Sequence, residues 1–271
     1  MRPGKWTRPR RCRCGPASGS RGCGSSTNAV APCCGRPFSP RGSWSQVPPA
    51  DTQAQLRLAF ERWGLPERFR VDNGVPWGSP GDLPTDLALW LIGLGVAMLW
   101  NPPRRPQDNG VVERSQGTAK RWAEPGACAS AEELQQRLEF MDKIQISEYP
   151  SIYGISRLDT FPDLKHSGRS YTREWEETHW SLRAVGVHLA GYAVRRRVSK
   201  LGSVSLYGRN HYIGIINKME NVYVSFDPED YEWIFSDEAS HQLRRQAAPE
   251  ISRERIVGLT VTNRRKGKDV Q

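Results

Sequence analysis

Phe69-Arg70-Val71-Asp72-Asn73-Gly74 is a short apolar run that ends in an acid and a glycine turn, and Val96-Ala97-Met98-Leu99 is a second apolar run further on. Between them lies Asp86-Leu87-Ala88-Leu89-Trp90-Leu91-Ile92, too uniformly apolar for a surface helix and long enough for a buried one. Strand, helix, strand in that order predicts an α/β unit, with Asp72 at the C-terminal end of its strand.

Upstream, Thr52 is the expected cap of a helix to Trp63, with Gln55 in capping-box position and Leu56, Phe60 and Trp63 at helical spacing. Gly64 is its expected stop. Downstream, Val75 to Pro84 reads as a loop, and Asn101-Pro102-Pro103-Arg104-Arg105-Pro106-Gln107-Asp108-Asn109-Gly110 cannot be regular structure. That second loop delivers the chain to a helix beginning near Val111, with Glu113 in its first turn. A further helix, 131–144, carries Leu134, Leu138 and Met141 on one face. Residues 146–190 read as a helical connector with one helix from about Tyr171 to Leu189. From Tyr192 the pattern changes to five short strands separated by turns, 193–198, 204–207, 212–215, 222–226 and 232–235, as in a small closed barrel. The expected divisions are 1–46, 47–145, 146–190, 191–250 and a basic, disordered tail over 251–271.

Charge is distributed unevenly. Residues 1–50 hold nine Lys or Arg and no Asp or Glu, so the formal charge of +10 leaves the other 221 residues with 30 basic against 29 acidic groups. Those first 50 residues also hold five of the six cysteines (Cys12, Cys14, Cys23, Cys33, Cys34) and eight prolines, with no apolar periodicity. The cysteines do not match the C-x₂-C spacing of zinc ligands. The segment reads as a disordered basic stretch or as a GC-rich coding region translated out of frame. Nothing approaches the roughly 18 consecutive apolar residues of a membrane span, so a soluble, cytoplasmic protein is expected.

Asp72 at a strand end and Glu113 in a first helical turn are the candidates for chemistry. Taken singly, Asp72 is an ordinary turn acid and Glu113 an acid favoured by the positive end of its helix. Taken together, an acid at the rim of a parallel sheet and an acid entering from the next loop suit hard divalent cations, which prefer oxygen ligands and hold the attacking and leaving oxygens of a phosphodiester.

The words Val71-Asp72-Asn73-Gly74 and Pro106-Gln107-Asp108-Asn109-Gly110-Val111-Val112-Glu113-Arg114 resemble the catalytic core of the retroviral integrase and insertion-sequence transposase superfamily. The resemblance covers about Val47 to Ile144. It implies an incomplete ribonuclease-H-like core followed by a small Src-homology-3-like barrel, as in the phage Mu transposase. It also implies Mg²⁺- or Mn²⁺-dependent DNA strand transfer, with Asp72 and Glu113 as the second and third metal-binding acids. Implied partners are DNA, as transposon ends and target, and further copies of the chain. Forty residues separate the two acids, slightly more than the superfamily pattern, and the Val75–Pro84 loop can absorb the excess.

The family's first acid belongs on a strand ahead of the 52–63 helix, and here the chain departs from the pattern. Asp51 is the only acid before residue 61, and it adjoins a helix cap. Little or no strand transfer is therefore expected from the chain as written. Arg104, Arg105, Asn109, Arg114, Lys120 and Arg121 are the candidate DNA contacts near the acids, with Arg195, Arg196, Arg197, Lys200, Arg209, Arg244 and Arg245 as further candidates on the barrel. Trp175, Trp180 and Trp233 read as core. The competing class is a non-catalytic DNA-binding fragment that regulates an intact transposase.

Overall fold

The computed structural model describes residues 48–102, 110–162 and 166–259. Helix α1 spans Pro49–Trp63 and starts earlier than the sequence suggests. Proline suits a first helical turn, where its missing N–H leaves no bond unmade. Thr52 therefore lies inside the helix, and its hydroxyl bonds back to the Pro48 carbonyl at 3.4 Å instead of capping. Leu56 and Phe60 are the buried face, and the Gly64 N–H closes the helix on Phe60.

Strands β1 (Arg68–Val71) and β2 (Ala97–Trp100) pair in parallel, with Phe69 opposite Met98 and Val71 opposite Trp100. Helix α2 (Asp86–Gly93) makes the crossover and is buried from Leu87 to Gly93, which explains its unbroken apolar sequence. Thr85 caps it by accepting from the Ala88 N–H.

Helices α3 (Gly110–Ala123) and α4 (Ala131–Ser147) pack against each other, and the short α5 (Arg157–Thr160) packs on α4. Met141 is buried, while Leu134 and Leu138 are half-buried on the same face of α4. The single helix expected over 171–189 is two, α6 (Arg173–His179) and α7 (Leu182–Ala190), broken at Trp180. The break lets the Trp180 indole turn inward, donate to the Trp90 carbonyl at 3.0 Å and lie against Gly93.

The C-terminal part has six strands where five were expected: β3 (Val194–Arg197), β4 (Ser203–Leu206), β5 (Arg209–Tyr212), β6 (Asn221–Asp227), β7 (Glu232–Ser236) and β8 (Gln242–Ala247). They form a four-stranded antiparallel sheet in the order β3-β6-β7-β8 and a separate β4-β5 hairpin. The hairpin turns at Tyr207-Gly208, both with positive φ as a tight two-residue turn of strand-matching twist requires, so β5 begins before the expected strand at 212. The expected disordered tail over 251–271 is corrected for its first part, where helix α8 (Arg253–Gly258) buries Ile256 completely. The remaining 260–271 and all of 1–46 lie outside the described residues.

One apolar cluster runs from Leu56 on α1 through α2, both β1 and β2, Trp180, Val185 and the strands to Ile256 on α8. It crosses the positions 145 and 190 at which separate units were expected. No apolar side chain of 110–162 belongs to it among the described residues, and Ala119, Ala123 and Met141 are buried within the helical layer α3–α5 instead.

Candidate active site at the β1–β2 rim

Asp72 leaves β1 at its C-terminal end, the side of a parallel sheet at which crossover loops leave a crevice. The Asp72 carboxylate accepts from the Asn73 N–H at 2.9 Å, a local turn bond. The Asn73 side-chain amide donates to the Asn101 carbonyl at 2.9 Å, and the Asn101 N–H donates to the Val71 carbonyl at 3.0 Å. Those two bonds tie the ends of β1 and β2 together and hold the second residue after β1 beside the first residue after β2. Beyond them, Gly74 with φ of 109° closes a turn on Gly78, bonded in both directions at 2.7 and 2.8 Å. Trp77 then folds back onto Phe69 at 5.4 Å between ring centres, and its carbonyl accepts from the Trp100 indole at 3.1 Å. The rim is thus built on packed aromatics, not on a free loop.

The Asn73 Oδ1 is buried and takes no hydrogen bond. An orphaned carbonyl oxygen next to a half-buried carboxylate is a donor set that a hard cation accepts readily. Glu113 stands exposed in the first turn of α3. Among the described residues no group of three or more His, Cys, Asp or Glu gathers into a metal-holding cluster. Among the described residues, the rim itself therefore offers one acid, Asp72, and an amide oxygen.

The candidate phosphate contacts divide by position. Arg104, Arg105 and Asn109 lie outside the described residues. Arg114, Lys120 and Arg121 are exposed on α3, and the Arg114 Nε–H donates to the Gly110 carbonyl of its own helix at 3.2 Å. Arg121 shares an open cavity of about 330 Å³ with Trp122, Tyr149 and Arg157.

The arginines on the strands are mostly engaged already. Arg245 pairs with Asp227 at 2.6 Å, Glu232 at 2.7 Å and Asp230 at 2.9 Å, Arg196 pairs with Asp82, and Arg195 with Glu238 at 3.6 Å. Arg209 lies 4.0 Å from Glu250, and Arg244 lies over the Tyr212 ring. A phosphate approaching Arg195, Arg196 or Arg245 would compete with those acids. Of the three tryptophans read as core, Trp180 and Trp233 are buried and Trp175 is partly so.

Two buried carboxylates hold the fold and do no chemistry at the rim. Burial pushes the Glu176 carboxyl up, but hydrogen bonds from Arg57 (2.6 and 3.0 Å), Tyr171 and Trp90 (3.0 Å) outweigh it and hold it below the usual range. Glu250 follows the same balance, with burial opposed by His211 at 2.8 Å and the Trp233 indole at 2.6 Å. Each acid ties elements distant in sequence, α1 to α6 and β5 to the segment before α8.

A scan against known protein families finds none whose profile matches this chain. Sequence reasoning placed Asp72 and Glu113 but missed the Asn73–Asn101 tie, because a side chain spanning between loop ends leaves no periodic mark. It also missed the cavity at the far end of α3. The available signal there was an aromatic, Trp122, directly after a basic pair on an otherwise polar helix.

Proposed function

We propose that this chain is a transposase- or integrase-type polypeptide of a mobile element, in which Asp72 and Glu113 serve as two acids of a divalent-metal site acting on DNA. The observation that carries the reading is the parallel β1-α2-β2 unit with Asp72 at its C-terminal rim, tied by Asn73 to the residue from which the chain departs toward Glu113. Asp72, Glu113 and the Asn73 Oδ1 would hold Mg²⁺ or Mn²⁺, which supplies charge neutralisation for an in-line displacement at a phosphodiester. In this reading Arg114 and Lys120, exposed on the helix that bears Glu113, would meet the DNA backbone. In this reading β1 and β2 belong to an incomplete ribonuclease-H-like core, and the β3–β8 strands derive from a small barrel. The first acid of the usual triad has no counterpart before Asp51, so strand transfer is impaired.

Metal binding and chemistry separate the components of this reading. Titration with Mn²⁺, followed by electron paramagnetic resonance, should show a weak site that Asp72→Asn abolishes and Glu113→Gln weakens roughly tenfold or more. Unchanged Mn²⁺ binding in Asp72→Asn overturns the site. Incubation with labelled duplex and Mg²⁺ should give no strand transfer, and detectable transfer by the purified chain removes the claim of impairment. Metal binding without cleavage leaves a regulatory, non-catalytic DNA-binding role.

A further inference from the structure

The cavity between the C-terminal half of α3, the end of α4 and the start of α5 is lined by Arg121, Trp122, Gln145, Tyr149, Ser151 and Arg157, with Thr118 at its edge. It lies about 12 Å along α3 from Glu113 at the helical rise, so it is separate from that acid. Three features make it unlike an accidental surface hollow. Its two cations come from different elements: Arg121 has no ion-pair partner among the described residues, and Arg157 is oriented by donating its Nε–H to the Ser151 hydroxyl at 3.3 Å. Its two aromatics, Trp122 and Tyr149, meet edge to face at 5.6 Å and an angle of 79°, yet stay 42% and 48% exposed. Its floor holds a buried amide, Gln145, 8% exposed. Asp142 on α4 lies within electrostatic reach of Arg157 and of Arg62.

An exposed aromatic face beside two guanidinium groups, in a cavity of about 330 Å³, fits a ligand with one planar ring and one anionic group. Bases stack on exposed Trp and Tyr whatever their identity, and guanidinium groups take phosphate oxygens two at a time. We propose that this cavity binds a single nucleotide unit, its base against Trp122 and Tyr149 and its phosphate between Arg121 and Arg157. The unit can come from an unpaired stretch of a DNA strand or from a free nucleotide. The buried Gln145 amide, a donor and an acceptor together, can meet the edge of any base without selecting one.

The test uses the full chain and a fluorescein-labelled oligothymidylate, with dTMP and inorganic phosphate as competitors. Expected is oligonucleotide binding that weakens at least tenfold in Trp122→Leu and in the Arg121→Gln/Arg157→Gln double variant, with both variants melting within a few degrees of the parent. Displacement by dTMP but not by phosphate supports a site for base and phosphate jointly. Binding of dTMP without the oligonucleotide assigns the cavity to free nucleotides. Unaltered affinity in both variants, or no binding of either ligand, overturns the proposal. Mn²⁺ binding at Asp72 is measured separately and does not depend on Arg121, Trp122 or Arg157, so failure here leaves the rim reading where it stood.

Discussion

At the scale of single residues, Gly93 is decided by its neighbour. A Cβ there would lie 2.2 Å from the Trp180 indole, a contact no side chain can make, and the Gly93 carbonyl already accepts from the Ser181 N–H at 2.9 Å. Gly93→Ala should therefore destabilise by about 1–3 kcal/mol as the indole is pushed from its place. Denaturant unfolding followed by tryptophan emission checks this, and a neutral effect would mean that α2 and α7 can part freely. Asp142 is a second such position. Burial pushes its carboxyl up to about 6, opposed by Arg62, reinforced by Glu139 and opposed again by Arg157. Because that value lies above the unfolded one of about 3.9, the folded chain binds the proton more tightly. The group favours folding at pH below about 4, and that contribution is lost as pH rises through 6. Asp142→Asn should raise the melting temperature at pH 7 and leave it nearly unchanged at pH 4; equal effects at both values would contradict this.

At the scale of elements, the sequence was legible where burial leaves a pattern. The apolar run of α2, the two flanking strands and the glycine turn after Asp72 appear where expected, since α2 buries nearly every side chain and the strands bury Phe69, Val71 and Met98 against it. Strand β8, Gln242-Leu243-Arg244-Arg245-Gln246-Ala247, left no such pattern: as an edge strand it is largely exposed, and its charges suit an edge that must not recruit another strand. Helix α8 was hidden for a different reason, having six residues with arginines at two of them. The Ser252 hydroxyl that caps it, and the Arg255 guanidinium that bonds Asp86 at 2.8 Å and the Glu250 carbonyl at 2.8 Å, are contacts no short window displays. Ile256→Ala should cost about 2–5 kcal/mol, as for a filled core position. A silent substitution would return the segment to the status of a tail.

At the scale of the whole molecule, the apolar cluster is continuous from α1 to α8, whereas the helical layer α3–α5 has its own small buried set. Stability then follows two levels. Amides of α2 and β6 should exchange with solvent only on global unfolding, and those of α3 and α4 through smaller, faster openings. Hydrogen exchange read by mass spectrometry checks this, with equal protection in α2 and α3 as the contrary result. The carboxylates of the proposed site fall on the two sides of that division, Asp72 on the rigid strand pair and Glu113 on the layer that opens more readily. Any ligand gripping both would act as a fastener: part of its binding energy would be used to quiet α3, and that part would reappear as raised protection of a helix whose remaining length the ligand never touches.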